Sequence, residues 1–281
     1  MKKLPKPTEL YESVFDDCIS NIQNNNLKLR YSQSKQFILD AGIDFEQKMQ
    51  NQQLYKYPPS NTINNSVITS EEMNNLYTNK LAKSGQPGRI YYDKLKLAPA
   101  QGRCPLCGVR SVNTLDHYLP KTKFPIFSIF PYNLIPACRD CNTEKKSIVA
   151  EKHAEETIHP YYDDIENIQW LSAHIERTNP VTFIYTVSNN VLDQVLTSRL
   201  KKHMEVFHLY ELYTSHAGEE LSNIIYQLQG VFNHGGANAV KAHLKEHFES
   251  RFMNNKNSWQ TAMYKAMYED GWFHSHGFEL P

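Results

Sequence analysis

Neither sign of charge is in excess. Thirty Lys and Arg balance thirty Asp and Glu over 281 residues, so no chain-wide basic field draws the protein to nucleic acid or anionic lipid, and any polyanion site has to be a local patch. Long apolar runs are missing as well: the uncharged stretch 124–138 is broken by Pro125, Pro131 and Pro136 and by polar Ser128, Tyr132 and Asn133, which excludes a spanning helix there. The opening MKKLPKPTEL has the lysines of an export signal but neither the apolar stretch nor the small-residue cleavage site that would follow them. The expectation is a cytoplasmic protein with no membrane partner. No internal repeat or long low-complexity tract is found. With 40% hydrophobic and 21% charged residues, the chain is not a disordered tail, a collagen or a coiled coil, and its length suits at most about two domains of ordinary size.

Cysteine is scarce too: five residues, an odd number and too few for a disulfide scaffold in a chain of this size. Four of them form two CxxC pairs, Cys104 with Cys107 and Cys138 with Cys141. Two separate pairs at that spacing should arise by chance in only about one chain per thousand. In a reducing compartment the arrangement reads as a tetrahedral four-cysteine zinc site, because each turn presents two thiolates to one ion. A thioredoxin-like redox pair and plain buried cysteines are the alternatives; no βαβ context supports the first. Cys18 stands alone and is expected to be a small core residue. The two pairs lie further apart than the roughly 15–20 residues usual between zinc knuckles, so something is housed between them.

Around this insert the chain reads as mainly α. Apolar spacing over 7–51 gives two helices interrupted at 21–26, and 54–68 is a connection with turn chemistry. Ser70 with Glu71 and Glu72 starts a helix that stops near 85–88, and 89–97 is a further short helix. Segments 166–175 and 181–187 read as a small hairpin turning at Asn179 and Pro180. From about 190 onward the pattern is helical, with one helix expected to end at Gly230. His243 and His247 lie at i, i+4 but lack a Glu in an HExxH arrangement, so they are read as solvated or core-edge histidines, as are His203, His208, His234, His274 and His276.

Inside the insert, the strand-like piece 112–119 ends at Pro120 and sets Asp116 beside His117, one hard oxygen ligand next to one candidate general base. A second strand, 133–137, follows a proline-bounded loop, and 138–147 has helical composition, with Asn142 in its first turn and Lys145 and Lys146 one turn on. Strand, loop, strand, helix, clamped by one zinc, is a ββα unit. The expected fold class is therefore mainly α with a small ββα-metal finger held by a four-cysteine zinc site, α+β overall. The expected division is an N-terminal helical region (1–98), the ββα module (99–150) and a C-terminal domain of hairpin and helical bundle (151–281).

The residues of this insert resemble the HNH endonuclease family. Leu115, Asp116 and His117 followed by Pro120, the dipeptide Asn133 and Leu134, and Cys141 and Asn142 followed by Lys145 and Lys146 match in type and order over 103–147. The flanks resemble those of longer bacterial HNH proteins, some of which serve phage defence alongside an ATPase. The resemblance implies His117 as general base, Asp116 and Asn142 as ligands of the catalytic metal, Asn133 as the residue orienting His117, and Cys104, Cys107, Cys138 and Cys141 as holders of a structural Zn2+. The third motif position, often histidine, is Asn142, an HNN variant; with Asp116 that hard amide oxygen favours Mg2+ or Mn2+. Arg139, Lys145 and Lys146 are candidate phosphate contacts at the helix edge. The implied function is hydrolysis of phosphodiester bonds in nucleic acid, DNA ahead of RNA, with an ATPase or other regulatory subunit as the implied partner. The reading from another class is a non-catalytic zinc-dependent module that binds nucleic acid or protein.

Overall fold

A computed structural model describes residues 2–60, 63, 67–188 and 193–278, leaving aside the side chain of His276. The chain divides into two compact units, Lys2–Asp163 and one that begins at Asp164. The first holds both the helices expected over 1–98 and the module expected over 99–150. The fold is α+β and mainly helical, with two small antiparallel sheets.

In the first unit α1 (Tyr11–Ser20) and α2 (Asn25–Gln50) are separated by a polar turn, and Asn24 caps α2 by accepting from the Leu27 N–H at 3.0 Å. Helix α3 (Ser70–Leu76) starts one residue earlier in capping terms than the sequence suggests. Thr69, not Ser70, is its N-cap, and Thr69 and Glu72 satisfy each other's backbone N–H groups in a capping box. Glu72 also receives Arg30 of α2 through both guanidinium nitrogens, and Tyr31 donates to the Glu72 carbonyl at 2.8 Å. A single π turn, Tyr77–Leu81, continues α3 and is followed by α4 (Arg89–Leu97).

Strands β1 (Thr114–His117) and β2 (Leu134–Ala137) pair antiparallel with Asp116 opposite Ile135 and His117 opposite Leu134, and α5 (Arg139–Lys145) follows directly. The first strand is thus shorter than the 112–119 expected. The connection between the strands folds inward: Phe124, Phe127 and Phe130 are buried, and Phe45 of α2 meets Phe127 and Phe130 with ring centroids 5.2 and 5.1 Å apart. Tyr11 adds a ring contact to Phe130 at 4.8 Å and a hydrogen bond to the Ile126 carbonyl at 2.8 Å. Each buried phenylalanine contributes about 1.5–3 kcal/mol, so this connection is core. Gly42 permits the approach, since a Cβ there would sit 2.8 Å from Tyr11 Cδ1.

In the second unit β3 (Leu171–Glu176) pairs antiparallel with β4 (Thr182–Val187), whose Phe183, Tyr185 and Val187 point inward. The strand expected from 166 begins only at Leu171 because Asn257 takes up the backbone before it: its side chain accepts from the N–H groups of Trp170 and Leu171 and donates to the carbonyls of Ile165 and Ile168. Helices α6 (Gln194–Val206), α7 (Leu209–Asn254) and α8 (Trp259–Glu269) complete the unit. Helix α7 does not end at Gly230. It runs on to a break at Gly236, whose φ of +66° is open to glycine at little cost, and then continues. The histidines behave as side chains of the fold. His203 is buried against Phe207, His243 and His247 meet edge-to-face one turn apart on α7, and His274 bonds the Tyr268 carbonyl.

The Glu72 junction yields a pH signature. Burial alone would raise its carboxyl, but Arg30 and the Thr69 donors outweigh this and hold it below the ordinary range. A carboxyl lowered in the folded state stabilises above its unfolded value and loses that contribution as pH falls through its folded one. Glu72→Gln is therefore expected to melt earlier than wild type at neutral pH, with the difference closing as pH falls through and below the ordinary carboxylate range. Thermal melts across that range check it.

Candidate metal centre and the adjoining imidazole site

The two CxxC turns converge. The Sγ atoms of Cys104, Cys107, Cys138 and Cys141 all lie within 4.8 Å of one another, and all four residues are buried. A tetrahedral zinc tetrathiolate, with Zn–S near 2.3 Å, needs sulfurs roughly 3.8 Å apart, so the cluster can hold a zinc ion with small adjustment. The first turn is shaped by Gly108 at φ +69°, whose N–H donates to the Cys104 carbonyl at 2.7 Å, while the Arg110 N–H points at Cys107 Sγ from 3.4 Å. In the second, Cys138 is the N-cap of α5 and its sulfur accepts from the Cys141 N–H at 3.4 Å. Arg110 and Asp140 join the two turns at 2.8 Å, an exposed pair of little energetic weight. Among the described residues this is the cluster with metal-holding composition, and no histidine belongs to it.

The cluster fixes α5 beside β1. Asp116 and His117 at the end of β1 are each only 7% exposed. His117 Nε2 lies 2.9 Å from the Ser128 carbonyl, which can only accept, so Nε2 carries the proton and Nδ1 the lone pair; Nδ1 has no hydrogen-bond partner among the described residues. Burial pushes the imidazole down to about 3, which keeps the ring neutral at physiological pH. Asp116 Oδ1 accepts from the His117 N–H at 2.7 Å, whereas Oδ2 is buried without a hydrogen bond. Burial raises the Asp116 carboxyl, opposed by Lys145.

Lys145 is a correction. It was expected at the exposed helix edge as a phosphate contact, and it is buried: its ammonium donates to the His117 carbonyl and stands 3.3 Å from Asp116 Oδ2. The helical period explains the difference, because capping by Cys138 sets Cys141, Asn142 and Lys145 on the side of α5 that meets β1. Asn142 is half-buried there, three residues before Lys145, while Arg139 and Lys146 are exposed. Asn133 sits at the far side of the site. Its side chain accepts from the Leu119 N–H at 2.7 Å and donates to the carbonyls of Leu119 and Phe127 at 3.0 and 3.2 Å. It thus bonds the residue next to Ser128 and seats the carbonyl that holds His117.

Sequence reasoning passed over Ser128 and Tyr77. Ser128 figures in the sequence pattern only as a polar interruption and Tyr77 not at all, yet the Ser128 carbonyl holds His117 and the Tyr77 ring packs edge-on against it at 4.4 Å. Neither has a spacing signal, since both reach the site through a loop and a π turn.

Fold and site together define a mainly helical α+β protein with a buried four-cysteine cluster, able to hold a metal ion, bracketing a strand-borne imidazole and carboxylate. The chain is 27% identical to Protein ea31 of Escherichia phage lambda over 291 aligned residues, covering 95% of this chain and 97% of that protein. No family model matches the chain, and no solved structure matches it. None of its helices is long and apolar enough, among the described residues, to cross a membrane.

Two outcomes are expected. The purified protein carries one zinc per chain by elemental analysis, and Cys141→Ser loses it along with the fold of the first unit, since structural zinc sites contribute roughly 10–16 kcal/mol; a metal-free but fully folded protein would contradict this. Asn133→Ala strands three buried backbone groups and lowers stability by about 2–4 kcal/mol in denaturant titration.

Proposed function

We propose that this protein is a metal-dependent endonuclease of the HNH type that hydrolyses phosphodiester bonds in DNA. The observation that carries the reading is the state of His117: one nitrogen tied to a backbone carbonyl and the other holding a free lone pair, at the strand position next to a buried carboxylate whose Oδ2 is paired with the Lys145 ammonium. A core histidine used only for packing has no need of that neighbour.

The residues act as follows. The Nε2–H bond to Ser128 fixes the ring and its tautomer, so that Nδ1 is the atom that takes the proton from an attacking water. Burial keeps the ring neutral until then, and Asn133 keeps the carbonyl in place. Asp116 and Asn142 offer two hard oxygens of the kind Mg2+ or Mn2+ prefers. Such an ion, when bound, supplies charge neutralisation at the phosphate and the leaving oxygen. Lys145 meanwhile opposes the rise that burial imposes on the Asp116 carboxyl. An ATPase or other regulatory subunit is the partner this reading adds, because the local basic surface, Arg139 and Lys146 included, is modest for holding a long duplex.

Plasmid nicking in Mg2+ or Mn2+ tests the proposal. Wild type is expected to convert supercoiled plasmid, and His117→Ala to lose about 10²–10⁴ in rate, with Asp116→Ala and Asn142→Ala losing activity that added metal partly restores for the latter. Wild type that leaves DNA and RNA intact in every divalent ion would exclude it. Full biological activity in His117→Ala and Asp116→Ala would favour the non-catalytic zinc module instead.

A further inference from the structure

The charges around His117 leave one cation without a carboxylate. Lys145 is engaged by Asp116. Lys121, four residues after His117, is half-buried, and among the described residues no carboxylate lies within ion-pair distance of it. Its ammonium instead sits 5.1 Å from the centre of the Tyr77 ring, the same ring that packs at 4.4 Å against His117. Tyr77 is itself fixed: it opens the π turn Tyr77–Leu81, a deviation of the kind often found at functional sites, and its hydroxyl donates to the Leu115 carbonyl of β1 at 3.3 Å.

The backbone under Lys121 is equally constrained. Asn133 binds both the N–H and the carbonyl of Leu119, and the N–H groups of Lys123 and Phe124 close a turn on the Pro120 carbonyl. The side chain therefore leaves from a rigid turn and lies across an aromatic face toward the imidazole. Partial burial disfavours its charged form, a cost that an incoming anion would offset. A lysine held this way is pre-organised, so little rotamer freedom remains to be lost on binding.

We propose that Lys121, laid across Tyr77, is the positioning residue that receives the phosphate group on which His117 acts. This rests on the nuclease reading, and it replaces Lys145 in the role of phosphate contact. The ligand class is a phosphodiester with its negative charge directed at the Lys121 ammonium. Tyr77 serves as the spacer between the ammonium and the imidazole.

The test separates this assignment from the nuclease reading by measuring binding apart from turnover. A short fluorescein-labelled DNA duplex is titrated with His117→Ala protein in Mg2+, followed by anisotropy over a series of salt concentrations. Adding Lys121→Met is expected to weaken binding about tenfold and to reduce the log–log salt slope by about one, with Lys121→Arg restoring most of both. In a cutting assay with His117 intact, the single variant Lys121→Met is expected to lower kcat/KM by about 10- to 100-fold while the melting temperature stays unchanged. Unchanged affinity and slope in Lys121→Met, or no duplex binding by the parent, overturns the assignment. If wild type never cuts but the Lys121-dependent slope is present, the nuclease reading fails and the anion site stands. If wild type cuts and Lys121→Met cuts equally well, the assignment alone fails.

Discussion

Four sulfurs within 4.8 Å of one another set the geometry of the first unit. The two turns that supply them bracket a hairpin whose strands are only four residues each, too short to stand alone in water. Convergence of the cysteines accompanies the packing of α5 against β1, and that contact brings Lys145 to the end of the strand carrying Asp116 and His117. The four-cysteine cluster thus lies at the base of the elements that carry the imidazole site without taking part in it.

The second constraint is the buried connection between the strands. A loop of this length ordinarily lies on the surface. Here two 3-10 turns, Pro125–Phe127 and Pro131–Asn133, fold it back so that its phenylalanines meet Phe45 and Tyr11, and Asn133 satisfies the backbone groups that the fold would otherwise leave unpaired. One asparagine in each unit plays this part, Asn133 in the first and Asn257 in the second.

Much of this was legible in the residues. The paired cysteine spacing announced the cluster, apolar periodicity located the helices, and alternation at Thr182–Val187 located β4. What escaped detection depended on three-dimensional partners. Lys145 looks like any lysine at the end of a polar helix until the cap at Cys138 sets the helical phase. Asn257 looks like a turn residue until four backbone groups reach it. Gly230 resembles a helix stop, but it is Gly236 that adopts the left-handed backbone. The polar loop residue Ser128 contributes through its carbonyl, which no side-chain pattern reveals.

The carbonyl that seats His117 belongs to a segment packed among core rings, and this ties chemistry to maturation. A nascent or damaged chain in which those rings have not yet closed has no seat for the imidazole and nothing to select its tautomer. The proton transfer proposed for His117 is therefore reserved for completed molecules, and on that proposal a partly folded copy is inert by construction.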